Sequence, residues 1–281
     1  MSERTTWVEL LGVTLSGAEE PDSGLIWSNL EGWWGLPDAR GDGDPIPGGH
    51  GRFRRSAILR ASRVITLTGH IYATDPLELV AVRDRLEAAL AAGSGAMRVG
   101  TPAGIWERWV EIDTLKIEPD RGRRWTQFTV DMIAPDPHRY GPLQTVGPVG
   151  LPVRDGGLTF PREFPWSFGT TRGGSTLTVS NAGAIDLRPT LRISGGGLES
   201  VLVTDLTRGD RLRLEHSVPA GDELRFDCAS RRAWAGEQEV TRWMTSRQWF
   251  SIPAGQTHEF RFEVTGGETP ELTAEFRIGA W

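Results

Sequence analysis

Cysteine and lysine are almost absent from this chain of 281 residues, which contains one of each, Cys228 and Lys116. A single cysteine cannot form an internal disulfide, so the class of small secreted proteins stapled by disulfides is excluded. Metal-ligand spacing is also missing, because the five histidines lie at least 20 residues apart. We therefore predict neither a metal site nor a bound cofactor.

Long hydrophobic runs and surplus positive charge are lacking as well. No stretch approaches the roughly 18 apolar residues of a transmembrane helix, and the first residues show no basic region followed by an unbroken apolar run. The formal net charge is −6, whereas affinity for nucleic-acid phosphate depends on surplus lysine and arginine. We expect a protein that is made in the cytoplasm, has no membrane segment and does not bind DNA specifically.

Motifs of nucleophilic or nucleotide-binding enzymes do not occur in the sequence. There is no G-x-S-x-G pattern, no P-loop and no G-x-G-x-x-G pattern. A pair of carboxylates for sugar hydrolysis depends on a separation in space that sequence does not reveal, and nothing in the sequence favours one. We predict no catalytic residue and a protein that is not an enzyme.

Glycine and proline are abundant. The 35 glycines and 18 prolines make up about 19 % of the chain, against roughly 12 % in average proteins. Apolar stretches separate these residues throughout, so the surplus indicates many tight turns rather than disorder. Such turns are typical of a mainly β chain.

Residues 1–145 predict a β-sandwich-like domain with one α-helix. Strict alternation of apolar and polar residues marks Arg63–Ala73 as a strand, and Arg52–Ala61 is predicted to pair with it. The helix is predicted over Pro76–Ala92, with Asp75 and Glu78 placed to form a capping box. Further strands are predicted over Thr5–Gly17, Leu25–Trp34, Ala96–Val99, Trp106–Lys116 and Trp125–Ile133.

Residues 146–281 predict a second domain, a β-sandwich. The division is placed in the glycine- and proline-rich segment 141–157, because three prolines by residue 142 are expected to halt the preceding sheet. After it, turn sequences separate short apolar stretches at regular spacing, as in sandwiches. The predicted strands are 176–180, 190–193, 201–205, 211–215, 223–228, 249–252, 258–264 and 271–277.

The tryptophans point to a binding surface. Twelve are present, and Trp33 and Trp34 are adjacent. Neighbouring residues of a strand point to opposite faces, so one indole can enter the core while the other needs another partner. Tryptophan is enriched at interface hot spots, and it also forms platforms for sugars. We predict an arm within residues 25–50 that contacts an adjacent subunit through Trp33 or Trp34.

Several segments, taken in order, resemble the distal tail protein (Dit) family of long non-contractile-tailed bacteriophages. The resemblance implies an N-terminal belt domain with one helix and a long hairpin arm, followed by a galectin-like β-sandwich. It spans nearly the whole chain and rests on the Trp/Gly-rich start and on His50–Phe53, Arg63–Ile71, the helix at 76–92, Phe128–Pro137, Asn181–Gly183, Arg188–Gly195, Arg225–Asp227 and Trp249–Gly255.

The resemblance also implies a structural role in the virion, at the distal end of the tail. Family members form a homo-hexameric ring through which the genome DNA passes without specific binding. The implied partners are further copies of the chain, the major tail tube protein, the tail-associated lysin or tail-tip hub protein, and the tape measure protein. Two alternatives stay open: a carbohydrate-binding module that recognises a host cell-wall polymer, and a wall-degrading enzyme.

Overall fold

The chain forms two compact units. The first comprises Met1–Pro142 with Ala280–Trp281, and the second comprises Leu143–Gly279. The division lies close to the predicted boundary after residue 145, and independent folding of the two halves stays a prediction. The computed structural model describes residues 7–17, 23–41, 44–54, 58–119, 124–155, 170–172 and 174–281.

The first unit is built on a closed, barrel-like sheet. Its strands run in the order β6–β5–β1–β2–β3–β4–β7, and β7 pairs again with β6, which closes the ladder. The sequence predicts a sandwich-like domain here, but β7 is shared by β4 and β6, so one continuous sheet forms instead. The strands are β1 Trp7–Leu10, β2 Val13–Ser16, β3 Gly24–Glu31, β4 Arg63–Tyr72, β5 Ser94–Thr101, β6 Gly104–Ile117 and β7 Trp125–Ala134.

Alternation along β4 explains how the first unit builds its core. Ile65, Leu67 and Ile71 point inward and are fully buried, as the sequence pattern predicts. Gly69 occupies the remaining inward position because a Cβ there would lie 2.5 Å from the ring of Phe128. Close packing of sheet and aromatic ring therefore requires glycine at this one point.

The single α-helix of the described residues, α1 (Pro76–Leu90), begins where the sequence predicts and ends two residues earlier. The Asp75 carboxylate accepts hydrogen bonds from the backbone N–H groups of Leu77 and Glu78, at 2.8 and 2.9 Å. Hydrogen bonds from Ser23 and Thr74 lower the pKa of Glu78 to about 2. The helix buries one apolar stripe in the core of the first unit: Leu79, Val82, Leu86 and Leu90.

The second unit consists mainly of β-strands, and the β-sandwich stays a prediction. In chain order they are β8 Arg139–Gly150, which begins in the first unit, β9 Val153–Asp155, β10 Thr170–Arg172, β11 Thr176–Ser180, β12 Thr190–Asp205, β13 Arg211–Leu214, β14 Leu224–Asp227, β15 Arg232–Ala235, β16 Gln238–Glu239, β17 Met244–Arg247 and β18 Thr257–Ala280, with a short 3₁₀ helix at Thr241–Trp243. Two predictions are wrong: the prolines do not end the sheet at residue 142, and 249–252 is not a strand.

Two long strands hold the second unit together. The N-terminal part of β12 pairs with β14, and its C-terminal part pairs with β13, while β18 follows β12 along both parts. The register shifts at Ser194–Gly196 and again at Leu198–Ser200, beside the positive-φ residues Gly195 and Gly197. Inward residues from both parts, such as Leu191 and Val203, belong to one buried core. Each predicted pair of strands, 190–193 with 201–205 and 258–264 with 271–277, is thus one bulged strand.

Candidate assembly interface

An irregular hairpin, here called the arm (residues 36–61), leaves the first unit after β3 and returns to it before β4. None of the described residues within the predicted strand Arg52–Ala61 lies in a strand, and the described parts of the two sides are joined by the isolated bridges Ala39–Arg60 and Pro45–Arg52. The glycines and prolines of the outgoing side leave too few regular N–H donors for a continuous ladder. Backbone hydrogen bonds along the arm run from Ala61 to Asp38, Arg40 to Leu59, Phe53 to Asp44 and Ile46 to Gly51.

The arm has no core of its own. Every described residue between Asp38 and Leu59 is exposed, including apolar side chains. Phe53 is 56 % exposed, and Leu59 is 62 % exposed. An isolated two-stranded hairpin is at best marginally stable in water, and contiguous exposed apolar surface marks interaction sites. The arm therefore has the character of a segment that is completed by another surface.

A tight turn at Gly32–Gly35 forms the base of the arm. Both glycines have positive φ, 74° and 79°, which other residues rarely adopt. A Cβ on Gly32 would lie 2.0 Å from the carbonyl oxygen of Val64, so the turn rests directly on β4. The turn directs the backbone carbonyl groups of this segment toward the interior of the first unit.

Two buried arginines receive these carbonyl groups. The Arg63 guanidinium donates to the carbonyl oxygens of Gly32 at 2.7 Å, Trp34 at 3.0 Å and Gly35 at 2.8 Å, and its Nε donates to that of Pro137 at 3.3 Å. A second guanidinium, from Arg108 on β6, donates to the carbonyl oxygen of Trp33 at 2.6 Å. Four consecutive carbonyls thus meet charged donors, which fixes the direction in which the arm leaves.

The tryptophans that the sequence singles out lie within this base. Trp33 is fully buried in the core of the first unit, and the guanidinium of Arg108 lies 4.5 Å from its ring centre. Trp34 is half-buried, and Arg139 lies over its ring at 4.4 Å and over the ring of Trp106 at 4.9 Å. Trp33 therefore supplies the core indole, and Trp34 finds a cationic partner in its own chain. Contact of either indole with an adjacent subunit stays a prediction.

Positive charge is concentrated at the base. Burial, with repulsion from Arg63 and Arg139, lowers the pKa of Arg108 to about 9, while Asp136 opposes this shift. Burial and the charge of Arg139 also lower the pKa of Arg63. The carbonyl dipoles and indole faces around these guanidinium groups offset the free-energy cost of burying their positive charge. Sequence reasoning did not place these arginines at the base of the arm, although one signal existed for Arg108: it occupies an inward position of β6, two residues before the buried Val110.

The second unit contains one stacked aromatic pair and one buried polar pair among its described residues. Trp243 is stacked on His216 at 4.0 Å, and Arg242 lies over its ring, so its faces are occupied. His258 and Asp205, whose side chains share a hydrogen bond of 2.7 Å, are both fully buried and closed to solvent. The described ranges also contain no cluster of side chains suited to a metal ion and no helix able to span a membrane.

The fold has a counterpart among solved structures. The Dit (gp 19.1) protein of phage SPP1 matches over 97 % of this chain and 98 % of its own, with a TM-score of 0.64 and 11 % sequence identity. This chain has the Dit fold. The SPP1 Dit protein is described as a paradigm of the hub adsorption apparatus in phages that infect Gram-positive bacteria.

A second match comes from the structure of the phage P2 baseplate in its activated conformation with Ca. It covers 89 % of this chain and 90 % of the other, with a TM-score of 0.50 and 9 % identity. No family model and no curated protein matches the sequence. The resemblance to the Dit family that the sequence shows is confirmed at the level of the fold.

Proposed function

We propose that this chain is a structural component of a phage tail, which assembles into a hexameric ring at the distal end of the tail in the virion. The ring connects the major tail tube protein to the tail-associated lysin or tail-tip hub protein, with the tape measure protein as a further partner. The likeness to the SPP1 Dit protein over the full length of both chains supports the proposal. In this proposal the chain has a structural role and no catalytic role.

The arm is the observation that carries the proposal. Its exposed apolar residues and its sparse hydrogen bonds leave it unsupported within one copy, while Arg63 and Arg108 fix its base. A ring of identical subunits uses heterologous contacts, so each copy needs two different adhesive surfaces. An arm that is fixed at its base and exposed in its described residues is suited to be one of these two surfaces.

The proposed division of labour follows the chain. Residues 1–145 form the ring as a belt domain, and residues 146–281 form a galectin-like sandwich. Each copy carries a net charge of −6, and negative charge on the face that lines the lumen would let DNA pass without adhering. Expressed alone, residues 1–145 are expected to oligomerise, and a well-folded monomer would contradict this division.

The mass of the assembled protein in solution tests the function. Light scattering after size exclusion is expected to give about six times 30.9 kDa. A variant in which Gly-Ser residues replace residues 38–59 is expected to be a folded monomer, because it keeps the base but loses the exposed arm. A wild-type protein that stays monomeric at high concentration, alone and with tail tube protein, would refute the proposal.

A further inference from the structure

One buried arginine of the first unit has hydrogen-bond donors that meet no acceptor. Arg108 on β6 is 1 % exposed, and its Nη1 donates to the carbonyl oxygen of Trp33. Its Nε and Nη2 are equally buried and donate to no acceptor among the residues that the structure describes. Buried polar side-chain atoms are nearly always hydrogen-bonded, and an unmade bond costs most on a charged group. The two nitrogens therefore indicate a ligand.

The geometry of the guanidinium indicates what this ligand is. Nε and Nη2 lie on the same edge of the planar group, and their parallel N–H bonds form the fork that binds anions. We call Nε and Nη2 of Arg108 the open edge. Arg63 shows the alternative, because its Nε, Nη1 and Nη2 all donate to backbone carbonyl oxygens. The open edge of Arg108 has no such carbonyl group.

The charge around Arg108 also favours an anion. The two other arginines at the base of the arm repel its positive charge, and Asp136 attracts it. The Asp136 carboxylate is already engaged, since it accepts hydrogen bonds from the backbone N–H of His138 at 3.0 Å and from the hydroxyl of Tyr140 at 2.7 Å. No carboxylate in the described ranges accepts a hydrogen bond from Arg108. The cluster of guanidinium groups thus has an excess of positive charge.

We propose that the open edge of Arg108 binds a small monovalent anion inside the first unit. The anion supplies the acceptor that Nε and Nη2 require and reduces the repulsion among the guanidinium groups. A third donor belongs to the same stack: the Trp33 ring lies 4.5 Å from the Arg108 guanidinium, and its indole N–H is buried without an acceptor in the described part of the chain. The site lies within one copy, so the inference stands apart from ring formation.

A buried water molecule is the alternative acceptor. Water would accept the hydrogen bonds of the open edge, but it would leave the repulsion among Arg63, Arg108 and Arg139 unchanged. A monovalent anion reduces that repulsion, and hydrogen bonds between charged partners are roughly twice as strong as neutral ones. Burial of Arg108 restricts the ligand to a small free ion, because a carboxylate side chain of another copy does not reach a residue that is 1 % exposed.

Bromide is a suitable probe, because its anomalous scattering distinguishes it from water. Crystals of the full-length protein grown with sodium bromide are expected to show an anomalous peak within hydrogen-bond distance of Nε and Nη2 of Arg108. An ordered water molecule at the open edge, without an anomalous peak, would overturn the proposal.

Thermal unfolding tests the site in solution. Sodium bromide at about ten times its Kd is expected to raise the melting temperature of the first unit by roughly 3–6 °C in scanning calorimetry. Sodium gluconate, whose anion is bulky, keeps the ionic strength constant. A wild-type protein whose melting temperature does not respond to bromide would overturn the proposal.

Three variants assign the response to the open edge. Arg108→Met and Arg108→Lys are each expected to lose most of the bromide shift, because lysine keeps the charge but has no fork. Arg98→Met is the matched control, since the Arg98 guanidinium on β5 already donates to the carboxylates of Glu9 and Glu107, both at 2.9 Å. This variant is expected to keep the full shift. Equal shifts in the Arg108 variants and in wild-type protein would show that bromide acts elsewhere and overturn the assignment.

Discussion

Replacing Arg63 by methionine is expected to release the base of the arm. The guanidinium serves four carbonyl oxygens, those of Gly32, Trp34, Gly35 and Pro137, and is itself almost completely buried. Methionine fills a similar volume but donates no hydrogen bond, so the four acceptors lose their donor. Each such loss costs about 1–3 kcal/mol if the carbonyl stays dry. Entry of water and relief of repulsion from Arg139 reduce this, and we expect a net loss of about 2–4 kcal/mol.

Two measurements separate a released arm from general unfolding. Urea denaturation gives the free energy of unfolding of the first unit, and amide hydrogen exchange reports on residues 36–61 and on the core strand β4. Exchange is expected to accelerate along the arm and to change little in β4. Arg108→Met is the control, because it removes one hydrogen bond together with a buried charge and is expected to change stability by about 1 kcal/mol or less. An Arg63→Met protein with wild-type stability and wild-type exchange in the arm would refute this reasoning.

Three further substitutions probe other parts of the fold. His258→Ala removes the 2.7 Å hydrogen bond to the Asp205 carboxylate, which keeps the backbone N–H groups of Thr207 and Arg208 as donors, so urea denaturation of the second unit should show a loss of about 1–3 kcal/mol. Gly32→Ala places a Cβ 2.0 Å from a backbone oxygen of β4, and thermal unfolding should reveal a loss of more than about 1 kcal/mol. Trp33→Ala should cost about 3–5 kcal/mol because its indole fills the core, whereas Trp34→Ala should cost less stability and shift sedimentation toward smaller species. Failure of both indole variants to weaken assembly would remove Trp33 and Trp34 from the interface.

Features governed by nearby residues could be predicted from the sequence. The start of α1 follows from Asp75 and Pro76, whose capping and fixed φ act within one turn. The core side of β4 follows from strict alternation between Arg63 and Tyr72. The Dit resemblance also emerged from short ordered segments, and the fold of the SPP1 Dit protein matches 97 % of the chain.

Features governed by distant residues could not be predicted. Glycines within β12 and β18 look like turn residues, but pairing between these two strands carries them across the bulges as continuous strands. Pro142 and Pro148 lie within β8, although prolines interrupt many strands. The arginines at the base of the arm become buried only because the turn at Gly32–Gly35 directs its carbonyls toward them.

Negative-stain microscopy of the purified full-length protein tests the central claim most directly. We expect closed rings with sixfold symmetry in top views, and we expect these rings to disappear when residues 38–59 are replaced by a Gly-Ser linker. Separate single particles of about 31 kDa at every concentration, or rings that persist unchanged without the arm, would contradict the account.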